Sequence, residues 1–283
     1  MLFRSLPTPR YTSIDPTPFI GIFFPLFFGM ILGDVGYGAI LLLVALALIV
    51  FVKHQPLVQQ VGRILLVAAL YSVIFGMLYG ECFGEAGAEA LGLHAWIDRR
   101  TSIMPMLYFA LAMGAVHVVV GLVLGLLSAL KGRRTREAVA RLASILVIVC
   151  IVGLLATYFA PMTELLRKPL LIAILVIIPI LLVTGGLLAP FELLRHLGNI
   201  ISYVRIMAVG LASVLLAYVA NKLAGAAGSV WIGVVVAVVL HAFNLLLGVF
   251  APTIHALRLH YVEFFSKFLE SGGARYTPLK KVE

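Results

Sequence analysis

The sequence predicts an all-α polytopic membrane protein of about eight transmembrane helices, of which the last two are long and tilted. Its residues are 63% hydrophobic and only 12% charged, and the mean hydropathy is +1.13. One soluble core could not bury that much apolar surface, and the apolar residues form blocks long enough to cross a bilayer. We therefore expect a helical bundle embedded in lipid.

Seven apolar blocks follow one another along the chain, and about 20 residues suffice for one crossing. They run at 19–52, 62–80, 104–130, 142–160, 170–189, 191–224 and 230–269. The first block has 34 residues, about 51 Å of helix. Its centre reads Gly33-Asp34-Val35-Gly36-Tyr37-Gly38. Because three glycines and an aspartate favour a helix break, we predict two short spans there and eight spans in all.

The last two blocks are much longer than one crossing requires. They contain 34 and 40 residues, which correspond to about 51 and 60 Å of helix against a hydrocarbon core of about 30 Å. Such helices either project far into water or lie steeply tilted in the membrane. A tilted helix presents a long flank sideways, which suits contact with a curved partner.

The distribution of lysine and arginine predicts the orientation, since cytoplasmic loops are the richer in both. Eight spans place 14 of these residues on one side and 5 on the other, whereas seven spans would give 12 against 7 with the N-terminus outside. Both termini are therefore predicted to be cytoplasmic. We expect a cytoplasmic tether at residues 1–18, a transmembrane domain at 19–273 and a cytoplasmic tail at 274–283.

Other compositional features exclude several classes of function. The net charge of +9 does not indicate a nucleic-acid partner, because the basic residues lie in short loops between spans. The two cysteines, Cys82 and Cys150, give neither a disulfide framework nor metal-ligand spacing, and the seven histidines are scattered along the chain. Neither a cofactor nor a metal is predicted, and a membrane-embedded hydrolase or lipid transferase is disfavoured.

Two arginines, Arg205 and Arg258, lie inside the two longest apolar blocks. An arginine at the centre of a membrane helix costs about 2.5–3.5 kcal/mol even on the more lenient insertion scale, so a functional site is indicated. Residues three and four apart share a helical face, which places each arginine in a polar stripe. The stripe residues that are candidates for the site are Asn199, Ser202, Asn244 and His255.

Two alternatives to an ion-translocating site stay open at this point. The polar stripes alone could serve interhelical hydrogen bonding, with each arginine paired to a carboxylate such as Glu192 or Glu263. A polytopic secondary transporter also has charged residues at a mid-membrane ion or substrate site, usually beside broken helices in a repeated half. No internal repeat is visible in the sequence.

Three stretches resemble one family of membrane proteins. They are FFPLFFGMILGDVGYG at 23–38, PFELLRHLGNIISYVRIMAVGLA at 190–212 and HALRLHYVEFFSKFLESGG at 255–273. Together they are similar to the membrane half of subunit a, also called I, of the rotary V-type and archaeal-type ATPases. The resemblance extends from about Ile14 to Gly273.

The resemblance implies a stator for a rotating proteolipid ring (subunit c or K) in the membrane sector of an ATPase or ATP synthase. By motif match, Arg205 faces the ring carboxylate and Arg258 assists it. The family has eight membrane helices and a large N-terminal cytoplasmic arm that this sequence lacks, so the chain is either a fragment or half of a split subunit. Implied partners are the ring, central-stalk and peripheral-stalk subunits, a separate arm, and H⁺ or Na⁺. The implied location is the plasma (inner) membrane of a prokaryote.

Half-channel residues follow less directly from the resemblance. An outward half-channel is predicted to use Asp34, Glu81 and His117, because ionisable groups at membrane depth are usually functional. An inward one is predicted to use Glu192, Arg195 and His196, near the cytoplasmic start of the Arg205 helix. The alternatives are a helix-end carboxylate for Asp34, a solvated loop residue for Glu81 and a hydrogen-bonded bundle histidine for His117. Glu263 is a further candidate that could form only an ion pair along its own helix. No covalent catalysis is predicted in this chain, which would be part of an enzyme only within the complex.

Overall fold

In a computed structural model, the protein is described at residues 14–87, 92, 94–159, 164–186, 188–269 and 273. The predicted tail at 274–283 and most of the predicted tether at 1–18 lie outside these residues. Within them the chain is helical, and the helices closely follow the apolar blocks of the sequence.

Nine α-helices are present in the described residues. They are α1 (Thr17–Leu32), α2 (Val35–Phe51), α3 (Pro56–Tyr79), α4 (Ile103–Lys131), α5 (Thr135–Phe159), α6 (Glu164–Gly185), α7 (Ala189–Ile201), α8 (Val204–Gly225) and α9 (Val230–Arg258). A π-helical turn at Leu259–Phe264 and a short 3₁₀ turn at Phe265–Lys267 continue α9.

Six helical stretches are long and apolar enough to cross a membrane. The last two of them, Ala189–Gly225 with 37 residues and Val230–Lys267 with 38, are the longest. Helices α7 and α8 together form one of these six stretches. With the two shorter apolar helices α1 and α2, the described residues contain eight apolar helical stretches. The all-α polytopic fold is thus confirmed, while the tilt of the long helices stays a prediction.

The predicted break in the first apolar block is confirmed. Helix α1 ends at Leu32, and Gly33 adopts a φ of +33°, a conformation that favours glycine. The next helix begins at Val35, with Asp34 in extended conformation as its N-cap and its carboxylate accepting a hydrogen bond from Tyr37 N. A capping carboxylate satisfies a backbone donor that would otherwise lack a partner.

The chain divides into two compact units. The first unit comprises Thr17–Met113 and Ile201–His260. In it α1 packs against α3, α8 and α9, while α2 packs on α3. Its core includes Phe28, Leu32 and Tyr37, which are almost fully buried.

The second unit comprises Gly114–Ile200 and the segment that begins at Tyr261. In it α5 packs against α6, and a small apolar core forms around Ala143, Leu181 and Ala189. The part of the π-helical turn from Tyr261 onward belongs to this unit.

Each long span is irregular beside its arginine. The first is interrupted at Ser202 and Tyr203, where Arg205 N bonds to Ser202 O at 3.3 Å in a tight turn. In the second, Arg258 is the last α-helical residue before the π-helical turn. Such departures from regular helix inside a span are frequent at functional sites. Neither irregularity is predicted from the sequence.

Candidate functional site

Arg205 has no charged partner among the described carboxylates of the first unit. Its side chain is half-buried, and its Nη1 atom is buried without a hydrogen bond. Arg258 is exposed and likewise forms no ion pair with the residues of that unit that the structure describes. A guanidinium stays charged at any relevant pH, so both sites hold a permanent positive charge.

His255 lies close enough to both arginines for their charges to act on its ring. It occupies α9 one turn before Arg258 and is half-buried, with its Nδ1 atom buried and without a hydrogen bond. The structure therefore brings together three residues that the sequence placed on two separate polar stripes.

Asn244 joins α9 to α8 and α2. Its amide nitrogen donates to Ser213 O at 2.9 Å and to the Tyr37 hydroxyl at 3.0 Å, and its amide oxygen accepts from the Ser213 hydroxyl at 3.2 Å. Asn244 and Tyr37 are each only 1% exposed. Buried polar groups are tolerated when they are hydrogen-bonded, and these three residues satisfy one another.

Two polar residues nearer the α8–α9 connection extend this network. The Tyr37 hydroxyl lies 2.6 Å from Nδ1 of His241, and Nε2 of His241 lies 2.9 Å from Oδ1 of Asn221. The amide nitrogen of Asn221 donates to Phe83 O at 2.9 Å. Tyr37, His241 and Asn221 are not among the site residues that the sequence predicts. Only the fold brings these distant positions together.

A cavity of about 130 Å³ lies between α1, α8 and α9. Asn244 and Ser213 line it only with carbon atoms, so its wall is apolar, and Val209, Ala251 and Pro252 extend it along the helices toward the arginines. Along α9, the residues that follow Pro252 lead to His255 and Arg258.

Asp34 binds three backbone N–H groups. Its Oδ1 accepts from Tyr37 N and Phe83 N, both at 3.0 Å, and its Oδ2 accepts from Gly84 N at 2.9 Å. The side chain is 2% exposed. Asp34 therefore caps a helix and holds the loop that follows α3. Its predicted part in ion translocation stays a prediction.

Glu81 forms a buried ion pair with Arg99. In the prediction of orientation from lysine and arginine, Arg99 is counted only as a loop residue. Nε of Arg99 donates to Oε1 of Glu81 at 3.0 Å, and a second nitrogen contacts Oε2. Arg99 also donates to the carbonyls of Ile31 and Gly33 at 3.1 and 2.9 Å, at the C-terminal end of α1. A cation there complements the helix dipole.

Burial and pairing act on Arg99 in opposite directions. Burial lowers the pKa of the guanidinium, but the adjacent Glu81 carboxylate more than offsets this and raises the pKa above its ordinary value. The Tyr79 ring adds a cation–π contact, with its centroid 4.6 Å from the guanidinium carbon. At Glu81, burial outweighs the attraction of Arg99 and raises the pKa of the carboxyl above its ordinary value. The paired side chains hold the α1–α2 break against the loop after α3.

A second cavity, of about 120 Å³, lies at this loop. Its charged lining comprises Glu81, Glu85, Asp98 and Arg100, and Gly84 and Tyr218 also line it. Asp98 and Glu81 lie on the side that the charge distribution predicts to be outside. The cavity reaches Gly84, where an added Cβ would be 3.3 Å from the Asn221 amide nitrogen.

The second unit contains a buried lysine beside several of the predicted site residues. Nζ of Lys267 lies 2.6 Å from Nδ1 of His196. With its amide oriented to satisfy its neighbours, Asn199 donates to Arg195 O at 3.1 Å and accepts from Lys267 Nζ at 2.5 Å. The charges of Glu192 and Glu263 also act on Lys267.

Of those acidic candidates, Glu192 is exposed and Glu263 is 1% exposed. His117 is fully buried, and its ring stacks on Phe264 with centroids 4.2 Å apart. It belongs to the second unit, whereas Asp34 and Glu81 belong to the first. Ser202 lies in the break before α8 and is half-buried.

Comparison with known proteins connects these sites to one family. The profile of the V-type ATPase 116kDa subunit family matches residues 3–89. The chain is 31% identical to A-type ATP synthase subunit I of Archaeoglobus fulgidus, over 100% of the chain and 52% of that protein. It is 33% identical to A-type ATP synthase subunit I of Thermococcus kodakarensis, over 99% of the chain and 45% of that protein.

A bacterial relative extends the match beyond the archaea. V-type ATP synthase subunit I of Borreliella burgdorferi is 24% identical over 100% of the chain and 52% of its own length. The chain thus spans about half the length of these relatives. The similarity covers all the helices that carry the site, including both arginine spans. The chain therefore belongs to the family of A-type and V-type ATP synthase subunit I.

Proposed function

We propose that this chain is the membrane stator of a rotary A-type or V-type ATPase. It forms ion half-channels against a rotating proteolipid ring and couples H⁺ or Na⁺ translocation to ATP hydrolysis or synthesis. The observation that carries the proposal is the half-buried guanidinium of Arg205, which has no carboxylate partner among the described residues of its own unit. A charge in a membrane span without an internal partner calls for an external one.

The surface of α9 supports a large partner beside the arginines. Large apolar side chains are exposed along its whole length, among them Val235, Phe243, Phe250 and Ile254. This surface continues to the exposed Arg258. Lipid alone would suit the apolar part, but an exposed guanidinium at the same flank favours a partner that brings a carboxylate.

Electrostatics supplies the mechanism. A ring carboxylate must be neutral to pass through lipid and must ionise to exchange its ion. Arg205 lowers the pKa of a carboxylate that reaches it, so the ion is released there. The same fixed charge repels cations and prevents ions from passing directly from one half-channel to the other. Ions can then cross only on the ring, so rotation is obligatory for transport. Each charge moved across the membrane is worth about 2.3 kcal/mol per 100 mV.

Two supporting groups follow from the contacts. His255 lies within electrostatic range of both arginines and contributes a polar ring to their surroundings. Arg258 adds a second positive charge on the neighbouring helix. We assign it the assisting role, because it is exposed whereas Arg205 is half-buried.

The half-channels are assigned to opposite ends of the spans. The outer one is proposed to lead from the cavity lined by Glu81, past Asp34 and the Asn244 network, to the cavity between α1, α8 and α9. The inner one is proposed to begin near Glu192 and Asn199 at the start of the Arg205 span. His117 and Glu263 are proposed as buried polar groups in the second unit that serve the same transport.

Site-directed cross-linking tests the contact with a ring. Ile254→Cys lies on the exposed flank of α9, where the Ile254 side chain is 61% exposed. Leu175→Cys on α6 is a matched control, because the Leu175 side chain is 73% exposed. In the assembled complex, Ile254→Cys should form a cross-link to the proteolipid and Leu175→Cys should not. Equal cross-linking at both positions, or none at Ile254→Cys, would contradict the proposed ring face.

A further inference from the structure

We propose that Phe27 of α1 is a positioning residue of the stator, because its ring holds both the break before Arg205 and the π-helical turn after Arg258. This inference rests on the proposed function and specifies how the chain fixes its two charges relative to each other. All the residues that carry it belong to the first unit.

The Phe27 ring contacts both irregular segments. Its centroid lies 5.7 Å from that of Tyr203 in an edge-on arrangement, and 5.6 Å from that of His260 in a tilted one. Tyr203 comes two positions before Arg205, and His260 comes two positions after Arg258. One side chain of α1 therefore contacts both arginine spans directly beside their charges.

The three rings form a buried cluster. Phe27 and Tyr203 are 0% exposed, and His260 is 1% exposed. The His260 ring is also held by its Nδ1 atom, which donates to Ala256 O at 2.7 Å, because a carbonyl oxygen can only accept. Buried aromatic pairs stabilise a structure beyond the area that they bury, and they do so only in certain arrangements. A shift of either irregular segment would therefore lose a favourable contact with Phe27.

Helix α1 approaches the same two spans at a second level. An added Cβ at Gly210 of α8 would lie 3.2 Å from Ile31 O. An added Cβ at Gly248 of α9 would lie 2.6 Å from Cδ1 of Leu32. Because glycine lacks this atom, both helices can approach α1 closely at these positions.

Each arginine lies between two contacts with α1. In the first span, Arg205 lies between the Phe27 contact and the close approach at Gly210. In the second span, Arg258 lies between the close approach at Gly248 and the Phe27 contact. Helix α1 thus supports both spans on either side of their charges.

Helix α1 is itself held by other parts of the first unit. An added Cβ at Gly29 would lie 2.7 Å from the carbonyl carbon of Tyr71, so α1 packs tightly on α3. At its C-terminal end, the Arg99 guanidinium donates to Ile31 O at 3.1 Å and to Gly33 O at 2.9 Å. These contacts give Phe27 a fixed position that does not depend on either arginine span.

The positions of the two charges matter for coupling. Arg205 must meet the ring carboxylate and must prevent ions from passing directly between the half-channels, and Arg258 assists it. Loss of the Phe27 ring removes the support that the break and the π-helical turn share. The charges can then move relative to each other, and ions can pass without rotation of the ring.

The test uses the complete rotary complex reconstituted in liposomes. Two quantities are measured for whichever of H⁺ and Na⁺ the unaltered complex transports. They are the ions taken up per ATP hydrolysed and the passive ion leak per assembled complex without ATP. Neither changes when a variant merely lowers the amount of folded protein. Phe27→Leu removes the ring and keeps much of the apolar volume.

Phe75→Leu is the matched control. Phe75 lies in α3 of the same unit and is 8% exposed, and its ring centroid is 5.8 Å from that of Tyr79. The substitution therefore removes a comparable buried aromatic pair from a helix that packs on α1 and α2. On the other side of the Phe27 contact, Tyr203→Leu removes the partner ring, whereas Tyr203→Phe keeps it.

We expect Phe27→Leu and Tyr203→Leu to lower ion uptake per ATP by at least about tenfold, since misplacement of a positioned group by about 1 Å can cost about a hundredfold. Both should raise the passive leak. Tyr203→Phe should retain most of the coupling, and Phe75→Leu should retain all of it even where its thermal stability falls as much as that of Phe27→Leu.

Normal ion uptake per ATP in Phe27→Leu, or an equal loss in Phe75→Leu, would overturn the inference. If Phe27→Leu does not assemble, the two Tyr203 variants decide, and equal coupling in both would overturn it. Transport that persists in Arg205→Ala would instead overturn the proposed function.

Discussion

Nζ of Lys267 lies 2.6 Å from Nδ1 of His196, although 71 positions separate the two residues in the chain. Both side chains are buried, with 4% and 5% of their surfaces exposed. The lysine thereby joins the segment after α9 to the helix that leads into the Arg205 span. A buried lysine is rare unless it is paired, which points to a role in holding these two segments in register.

Lys267→Met is expected to destabilise the protein by about 1–3 kcal/mol, because it leaves the buried polar atoms of His196 and Asn199 without their partner. Thermal unfolding in detergent measures the effect. Lys222→Met is the control, since Lys222 is exposed, and it should change stability little. Equal stability of the two variants would show that the buried bond contributes nothing.

Glu81→Gln is expected to be more harmful than Glu85→Gln. The first breaks the buried pair with Arg99 and leaves a guanidinium uncompensated, at a cost of about 3–5 kcal/mol. The second weakens the pair with Arg100, in which the Glu85 side chain is 52% exposed, and should cost about 0–1 kcal/mol. Thermal unfolding of both variants in the same detergent compares them. A larger loss for Glu85→Gln would refute the structural role of the buried pair.

Much of the fold follows from the sequence alone. Hydropathy locates the spans, and the glycines around Asp34 mark the break between α1 and α2. The break before Arg205 could not be foreseen, because Ile201, Ser202 and Tyr203 include neither glycine nor proline. The π-helical turn after Arg258 likewise has no recognisable sequence signal.

The candidate site was predictable only in part, for a physical reason. A charge inside an apolar block is visible locally, so Arg205 and Arg258 could be chosen from their cost in lipid. The side-chain hydrogen bonds of Arg99 and Tyr37 reach partners 18 or more positions away, and Tyr37 and His241 are separated by 204. No local pattern carries such contacts. Arg99 was therefore counted as a loop charge, whereas it is 3% exposed.

Arg258→Ala is expected to lower transport severely but less completely than loss of Arg205. Arg258 is exposed at the end of α9, and its charge reaches His255 together with that of Arg205. Arg258→Lys keeps the positive charge and should recover part of the transport, although lysine lacks the planar fork of arginine. Ion uptake per assembled complex measures both variants. If Arg258→Lys loses transport as completely as Arg258→Ala does, the positive charge of Arg258 is not its contribution to transport.

Arg205 can be tested with substitutions that separate charge from packing. Its side chain is half-buried beside the break at Ser202 and Tyr203, so Arg205→Ala also removes packing. Arg205→Met keeps much of the apolar volume and removes only the charge. Tyr203 is fully buried and packs edge-on against Phe27 at 5.7 Å, and this contact should hold the break in place in both variants.

The most direct measurement is ATP-driven ion uptake by reconstituted complexes that carry Arg205→Ala or Arg205→Met, with ring content determined in the same preparations. The account predicts that both variants retain the proteolipid ring and that neither transports ions. Ion uptake at the normal rate in either variant, with the ring present, would contradict the assignment of Arg205 as the fixed charge of the stator.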